Sequence, residues 1–555
     1  MRRFALILLL VLTTATVACQ PGPPRVDVTP PPMPDAASGT WWNDRVFYEV
    51  FVRSFQDSDA DGIGDLEGLI ERLDYLNDGD PRTDDDLGVT GLWLMPIAES
   101  PSYHGYDVVD YMAVEHDYGD AATFRRLMEE AHARGMVVIV DLVINHTSNQ
   151  HPWFQEAAAG PDAVRRDWYV WSGEHLTYRG PWGEQVWYKR GDAYYYAVFV
   201  ESMPDLNYRT PAVSDAIYEV SRFWLEEMGV DGYRMDAIRH LIEDGQQQEN
   251  TPETHAWLQA WHDYYKGIRP QAMTVGEVWT RSEDVVSYVG DEMDICFEFD
   301  LASAILDGAR GGTTGVVDSM AQKVEMLYPP GQYATFLTNH DQERVMTQLR
   351  GDEAKAKTAA AVYLTLPGVP FLYYGEEIGM SGAKPDERIR APMQWSGEDQ
   401  AGFSTVTPWE GLQADYATRN VEAQRADDGS LLRRYIRLIR LRSAYEALRT
   451  GSLIAVQTGN VHVYAYVRHG EAEDVLVVHN LGADPASEFA LNVRASPLAP
   501  GRYRVREMLA GVRGIAPLTV GAQGAIEGYV PVETLAAGQS LNLLLTKTRN
   551  RTYHT

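Results

Sequence analysis

A short apolar run ends in the stretch GYRMDAIRH, residues 232–240, which carries two arginines, a histidine and one carboxylate. Side chains alternate along a β-strand, so Arg234 and Asp236 are expected on the same face. A carboxylate beside a guanidinium stays ionised well below neutral pH. That property suits a nucleophile and equally suits a structural ion pair. The other strand ends of the chain have to decide between these two interpretations.

The fold is predicted by eight apolar runs, one of which overlaps the stretch at residues 232–240. They are VFYEVFV from Val46, VTGLWLMP from Val89, MVVIVDLV from Met136, VDGYRMDA from Val230, MTVGEVW from Met273, MDICFEFD from Met293, QYATFLTNH from Gln332 and PFLYYGEE from Pro370. Most are nearly continuous, as expected for parallel strands buried on both faces. Between them lies helical spacing, for example Phe124, Leu127 and Met128 at i, i+3 and i+4. Strands alternating with helices predict a parallel (β/α)8 barrel of the TIM type.

Two segments depart from the barrel pattern. Residues 146–207, between the third and fourth runs, are irregular and long enough to form a small inserted domain. From residue 451 the strands VHVYAYV and DVLVVHN come with turn signals, and helical periodicity is lost. The barrel is therefore predicted over 41–145 and 208–450, with a C-terminal antiparallel β-sandwich over 451–555.

The composition limits the partners of the protein. The chain has 555 residues, of which 45% are hydrophobic and 23% charged, as in ordinary globular proteins. Its formal net charge is −31, whereas nucleic-acid binding needs clustered Lys and Arg. No nucleic-acid partner is expected, and we expect a monomer.

The N-terminus predicts export. Arg2 and Arg3 precede the apolar run FALILLLVL, which is too short to span a bilayer and has the flanks of a signal peptide, residues 1–18. Cys19 follows a small residue and resembles the acylated first residue of a bacterial lipoprotein, although Thr16 stands where such signals usually carry Leu. Residues 19–40 are rich in Pro and predict an extended tether. The protein is expected outside the cytoplasm, anchored to a membrane through Cys19 or, alternatively, secreted.

Several predicted strands end in polar or ionisable residues. These strand ends are DLVINH with Asp141, Asn145 and His146, GYRMD with Arg234 and Asp236, VGEVW with Glu277, and FLTNHD with His340 and Asp341. Any one of them alone reads as a solvated strand end. Because the carboxyl ends of barrel strands form one mouth, the three acidic ends on strands four, five and seven are expected to converge there.

Two carboxylates across a scissile bond are what glycoside hydrolysis needs. One acts as nucleophile and should stay ionised, as Arg234 would ensure for Asp236. The other acts as acid and then as base, and its pKa should be raised. Glu277 lies between Val275, Val278 and Trp279, which is consistent with partial desolvation.

The blocks DLVINH, GYRMDAIRH, VGEVW, FLTNHD and GVPFLYYGEEIGM occur in the order in which they are found in the α-amylase family of retaining glycoside hydrolases. The chain resembles this family over residues 41–548. The resemblance implies that Asp236 is the nucleophile, that Glu277 is the acid/base, and that Asp341 binds sugar hydroxyls and stabilises the transition state.

The same resemblance extends to residues that bind the substrate. It implies that Arg234, His146 and His340 hold the sugar ring at the cleavage point. Tyr106, in the sequence HGYD, matches the family's stacking platform. His240, with Arg239 before it, resembles the basic pair that amylases use beyond the cleavage point.

The first strand-to-helix loop, DSDADGIGDLEG, predicts a calcium site. The candidate ligands are Asp57, Asp59, Asp61, the carbonyl of Ile63, and Asp65. The loop is not an EF-hand, because Gly68 stands where the twelfth-position Glu belongs. It resembles the calcium loop of bacterial members of the family, and aspartates so closely spaced would repel one another without a cation. The alternative is a solvated acidic turn. No other cofactor is implied.

Three features bear on the substrate. The insert ends in MPDLN, which resembles an intermediate between the motifs of oligosaccharide-acting and cyclodextrin-acting members of the family. The resemblance also implies a preference for α-1,4 linkages, because related glucosidases with that preference carry a small residue at the position of Ala237, after the nucleophile. Together with His240 they favour an α-amylase acting on starch or maltooligosaccharides. An α-glucosidase or glucan transferase is the alternative, and a non-catalytic glucan-binding lipoprotein is less favoured because all three carboxylates are present. Five insert tryptophans are expected either to stack on sugars or to form the core of the insert: Trp153, Trp168, Trp171, Trp182 and Trp187.

Overall fold

The structure is a computed structural model, which describes residues 28–35 and 39–548. The predicted signal segment and Cys19 lie outside the described residues. In the described part of the chain no helix is both long and apolar enough to cross a bilayer.

A closed barrel of eight parallel strands forms the centre of the molecule. The strands are Phe47–Val50, Gly91–Leu94, Val137–Leu142, Gly232–Met235, Met273–Gly276, Ile295–Phe297, Tyr333–Thr335 and Val369–Tyr373. They neighbour one another in chain order, and the eighth closes onto the first with Phe47 opposite Phe371. Every residue of these strands is buried, which explains their continuous apolar runs. The predicted fold class is confirmed.

Helices surround the barrel. The α-helices outside the insert are Leu66–Glu71, Leu73–Leu76, Ala121–Ala133, Pro211–Arg222, Pro252–Ile268, Ser282–Val285, Phe299–Gly311, Gly315–Leu327, Val345–Gln348, Glu353–Thr365, Asp386–Ile389, Val421–Arg425, Leu431–Ala444 and Glu446–Arg449. Ala121–Ala133 shows the predicted buried stripe, and Asp120 caps its start by accepting from two backbone amides. Inside the barrel, Phe47 stacks on Phe371 with 4.6 Å between ring centroids.

Two irregular excursions leave the barrel before its fourth strand. The first is a hairpin of Ala98–Glu99 and Asp110–Val114, which the sequence did not predict. The second is the insert, with the helix Pro152–Ala157 and an antiparallel sheet of Trp171–Ser172, Ala193–Tyr196 and Trp187–Arg190. Both excursions start at the carboxyl ends of strands, so they rise over the mouth of the barrel.

The C-terminal region is a six-stranded antiparallel sheet faced by a two-stranded one. In spatial order the six strands are Ser452–Val456, Val463–His469, Asp474–Asn480, Ser540–Lys547, Gly501–Glu507 and Leu518–Val520. The pair Leu491–Val493 and Ile526–Tyr529 shares one apolar core with them.

Two buried arginines meet at one helix end of the barrel, one from the barrel helix Leu431–Ala444 and one from the sheet region. Arg442 donates to the carbonyls of Leu364 at 3.1 Å and Leu366 at 2.8 Å. Arg468, from the second strand of the sheet, donates to the carbonyl of Thr365 at 2.7 Å. These carbonyls end the helix Glu353–Thr365, and the arginines satisfy acceptors that have no partner within the helix.

Candidate active site

The carboxyl ends of the barrel strands open into a cavity of about 790 Å³. Of the residues predicted for substrate and catalysis, six line it: Tyr106, His146, Asp236, His240, Glu277 and Asp341. The other two, Arg234 and His340, lie fully buried beneath them and contact the catalytic carboxylates. The structure therefore brings all eight predicted residues together.

Arg234 is the centre of the site and binds three carboxylates. One terminal nitrogen lies 2.9 Å from Asp141 and 2.7 Å from Asp236, and the other lies 2.8 Å from Glu277. Its guanidinium carbon sits 5.2 Å from the ring centroid of the buried Trp93. A buried charge is stable only when it is paired, and here three carboxyl groups share one guanidinium.

The backbone after Asp236 turns sharply. Ala237 has φ 48° and ψ 33° and begins the 3-10 turn Ile238–His240. A left-handed residue other than Gly costs roughly 1–2 kcal/mol, and a small side chain limits the strain. The turn directs the Ala237 amide toward Glu277, whose Oε2 accepts from it at 3.1 Å.

The environments of Glu277 and Asp236 determine the pKa values of these two catalytic carboxyl groups. Burial raises the pKa of Glu277, Arg234 lowers it, and Asp236 and Asp341 raise it further, as a general acid requires. Burial also raises the pKa of Asp236 above its ordinary value, although Arg234 opposes this effect. Arg234 opposes the desolvation of Asp236 without outweighing it, because the guanidinium is shared with Asp141 and Glu277.

Asp341 is the most acidic of the three carboxylates. Burial alone would raise its pKa, but His340 and Arg390 outweigh burial and hold the pKa well below its usual range. Arg390 donates to Asp341 at 2.9 Å, and His340 Nε2 lies 3.1 Å from it. Burial opposes protonation of His340, yet Asp341 and Glu49 raise the pKa of the imidazole to about 9.

Tyr106 lies against this ion cluster. Its hydroxyl donates to Asp141 at 3.1 Å and lies 2.6 Å from His340 Nε2, and the two rings stack with centroids 5.5 Å apart. His146 Nε2 donates to the Tyr106 carbonyl at 3.1 Å. Burial lowers the pKa of His146 to about 4, so it is neutral and positions Tyr106 without adding charge.

The insert contributes one wall of the cavity. Trp182 is 57% exposed, stacks on Phe199 at 5.5 Å and lies 5.3 Å from His240. Burial lowers the pKa of His240 to about 4, and its Nδ1 lies 2.9 Å from the Gln248 carbonyl. The four other insert tryptophans pack into the apolar cores, so Trp182 is the member of the five with a face free for a sugar.

Sequence reasoning missed three residues of the site. Glu49 lies 2.6 Å from His340 Nδ1, and its position as the lone charge inside VFYEVFV is a signal that could have identified it. Arg390 comes from a loop after the eighth strand and carried no such signal. Trp279 was noted for its apolar character, yet it is 47% exposed and stacks on Phe299 at 4.7 Å across from the insert.

The predicted calcium loop is only partly assembled around its carboxylates. Asp57, Asp59 and Asp61 place carboxylate oxygens within 4.8 Å of one another, and two of these residues are exposed. Asp65 instead caps the helix Leu66–Glu71, where it accepts from the Gly68 amide at 2.7 Å. Three clustered carboxylates suit a hard cation such as calcium.

Paired buried carboxylates at the carboxyl mouth of a (β/α)8 barrel define a glycoside hydrolase. Residues 49–451 match the family sequence model that describes the alpha-amylase catalytic domain. Alpha-amylase 3 of Dictyoglomus thermophilum is 38% identical, over 80% of this chain and 85% of its own length. The crystal structure of alpha-amylase from H. orenii aligns with a TM-score of 0.79 at 39% identity and covers 90% of this chain and 99% of its own. The Mycolicibacterium smegmatis trehalose synthase/amylase TreS is 34% identical, over 80% of this chain and 85% of its own. The chain belongs to the alpha-amylase family of glycoside hydrolases.

Proposed function

We propose that the protein is a retaining α-amylase that cleaves α-1,4-glucosidic bonds in starch or maltooligosaccharides. The observation that carries this proposal is the set of three carboxylates around one cavity, two of them on the same guanidinium. Ala237 and His240 line that cavity, in line with the linkage preference favoured by the sequence. The similarity to two alpha-amylases gives further support.

The chemistry follows from the electrostatics of the site. Asp236 attacks the anomeric carbon and forms a glycosyl ester as the glycosidic bond breaks, and Glu277 gives its proton to the leaving oxygen. Water then attacks the anomeric carbon while Glu277 takes a proton from it, and the ester bond breaks to free Asp236 and the sugar. Asp341, kept ionised by Arg390 and His340, accepts hydrogen bonds from sugar hydroxyls and stabilises positive charge on the ring.

An α-glucosidase or glucan transferase is the second candidate function. Its support is that the relatives include a trehalose synthase/amylase and an oligo-1,6-glucosidase, and that Trp182 and Trp279 offer apolar faces to a second sugar. A sugar acceptor and water compete for the same glycosyl-enzyme.

Product analysis on soluble starch, maltotriose, pullulan and isomaltose separates the candidates. An α-amylase releases reducing ends from starch and maltotriose and leaves isomaltose intact. Release of glucose from isomaltose, or rearrangement of maltotriose without new reducing ends, would instead identify the second candidate. If none of the four substrates gives a product, the protein would be a non-catalytic glucan-binding protein.

We also propose that Asp57, Asp59 and Asp61 hold a calcium ion with the Ile63 carbonyl. The Asp57 carboxylate already accepts backbone amides of Ala60 at 2.8 Å and Gly62 at 2.9 Å, so the loop is preorganised. Burial raises the pKa of Asp61, and Asp59 and Asp57 raise it further, which is a repulsion that a cation would relieve.

Excess chelator is expected to lower the melting temperature of the protein by several degrees. A ligand at a hundred times its Kd stabilises the folded state by roughly 2.7 kcal/mol. Asp59→Ala/Asp61→Ala should melt at the same temperature with and without calcium. The control Asp84→Ala/Asp85→Ala removes two exposed carboxylates elsewhere and should keep the calcium response. A wild type that is free of bound metal and indifferent to calcium would show that the loop is only an acidic turn.

A lipid anchor at Cys19, holding the barrel outside the cytoplasm on the Pro-rich tether, is our proposal for location. Two or three acyl chains on one residue give stable attachment, whereas one is marginal. Cys19→Ser should move active enzyme from the membrane fraction to the soluble fraction. Wild-type enzyme already in the soluble fraction, with a mature N-terminus beyond Cys19, would mean that the protein is simply secreted.

A further inference from the structure

A second cavity, of about 550 Å³, lies apart from the active site and shares none of its lining residues. This open cavity is bordered by the junction of the helices Leu66–Glu71 and Leu73–Leu76, by the segment after the eighth strand, and by the helix Val421–Arg425. Its lining includes Arg72, Tyr75, Trp395, Ser396, Glu422 and Arg425. We call it the arginine cavity.

Arg72 is positioned in the arginine cavity by a ring contact and neutral acceptors. Its guanidinium carbon lies 4.4 Å from the ring centroid of Trp395, and its Nε donates to Gln56 at 2.7 Å. One terminal nitrogen makes only a 3.5 Å contact with the Gly402 carbonyl. Among the described residues no carboxylate forms an ion pair with Arg72, so its charge is stabilised by aromatic stacking and neutral acceptors.

Arg425 has still fewer partners. Its guanidinium carbon lies 5.3 Å from the ring centroid of Tyr75, and its Nε is buried without a hydrogen-bond acceptor. In the described part of the chain it also has no ion pair. A buried donor without an acceptor costs free energy unless a ligand or water completes it.

The two cations repel each other. Burial lowers the pKa of Arg72, Glu71 raises it, and the Arg425 charge lowers it. The chain has 79 acidic residues against 48 lysines and arginines, so carboxylates to pair with are abundant. Glu422, an exposed residue on the rim, is the carboxylate that lines the cavity, and it pairs with neither arginine.

We propose that the arginine cavity binds a small oxyanion, the phosphate, sulfate or carboxylate group of a small molecule. A guanidinium is planar and presents parallel N–H donors that match the two oxygens of such a group. The aromatic rings of Trp395 and Tyr75 occupy the faces of the guanidiniums, so the N–H edges remain for the ligand. The anion would accept from the terminal N–H groups of the two arginines and offset the repulsion between their charges.

Sodium sulfate is the first probe, titrated into the full chain at constant ionic strength by calorimetry and by thermal melting. We expect saturable binding that Arg425→Gln weakens by about tenfold or more, because one charge-assisted contact is lost. The control Arg82→Gln makes the same charge change on an exposed arginine and should bind as the wild type does. If Arg425→Gln does not fold, Arg425→Lys is the alternative variant. It keeps the positive charge but loses the parallel N–H donors of the guanidinium, so it should bind sulfate more weakly than the wild type does.

Sulfate also stabilises proteins nonspecifically by exclusion from their surface. A melting temperature that rises linearly without saturation, by equal amounts in wild type and Arg425→Gln, would overturn the proposal. Equal calorimetric affinity in the two proteins would overturn it as well. Glucose 6-phosphate, glucuronate and glucose then distinguish the source of the anion: we expect one of the two charged sugars to compete with sulfate and glucose not to. Neither charged sugar competing would also count against the proposal.

Discussion

Asp236→Asn is expected to lower kcat on starch by at least about four orders of magnitude while the protein stays folded. An amide cannot attack the anomeric carbon. The fold should survive because Arg234 keeps Asp141 at 2.9 Å and Glu277 at 2.8 Å, and because one of three mutually repelling carboxylates becomes neutral. The measurement is reducing-sugar release together with thermal melting of the same preparation.

The control for this variant is Asp215→Asn, which makes the same chemical change at an exposed position on the helix Pro211–Arg222. It should have wild-type activity. If folded Asp236→Asn kept activity within tenfold of the wild type, Asp236 would not be the nucleophile, and its contact with Arg234 would be a structural ion pair.

Glu277→Gln is expected to lower kcat on starch by about three orders of magnitude, because the leaving oxygen no longer receives a proton. An α-maltosyl fluoride needs no such proton, so its first step should be far less affected. The glycosyl-enzyme should then accumulate on Asp236, where mass spectrometry of digested protein can locate it.

The pH profile gives an independent test of the role of Glu277. Its pKa is raised by burial, and the acid must be protonated to act, so wild-type activity should fall as pH rises through that pKa. Glu277→Gln should lose this alkaline limb. Equal losses on starch and on the fluoride, with the alkaline limb retained, would contradict the assignment.

The barrel could be predicted because its signal is local. Each of the eight strands is buried on both faces and therefore reads as a continuous apolar run. The hairpin of Ala98–Glu99 and Asp110–Val114 could not, because its first strand has two residues and no periodicity. The order of strands in the C-terminal sheet depends on distant pairings that no short window records.

The sequence could predict which residues form the site, but it could not predict the ion pairs that connect them across strands. Alternation along one strand placed Arg234 beside Asp236, and the structure has them 2.7 Å apart. The sharing of Arg234 with Glu277 runs between neighbouring strands, so the sequence held no sign of it. For the same reason the sequence held no sign that burial outweighs Arg234 and raises the pKa of Asp236, since burial depends on the whole barrel mouth. Asp65 was assigned to a metal although its spacing before LEGLIE also suits a helix cap.

The hydrogen bonds of Arg442 and Arg468 bear on how the molecule denatures. Both guanidiniums are buried against main-chain oxygens at the end of Glu353–Thr365, and Arg468 belongs to the sheet region while the helix belongs to the barrel. Separating the two regions would remove the Arg468 donor from the Thr365 carbonyl and leave the buried Arg468 charge without that acceptor, whereas the bonds of Arg442 lie within the barrel and would stay. The two regions should therefore melt as one cooperative unit, and the barrel cut off at residue 450 should be a poor autonomous folder rather than a smaller working enzyme.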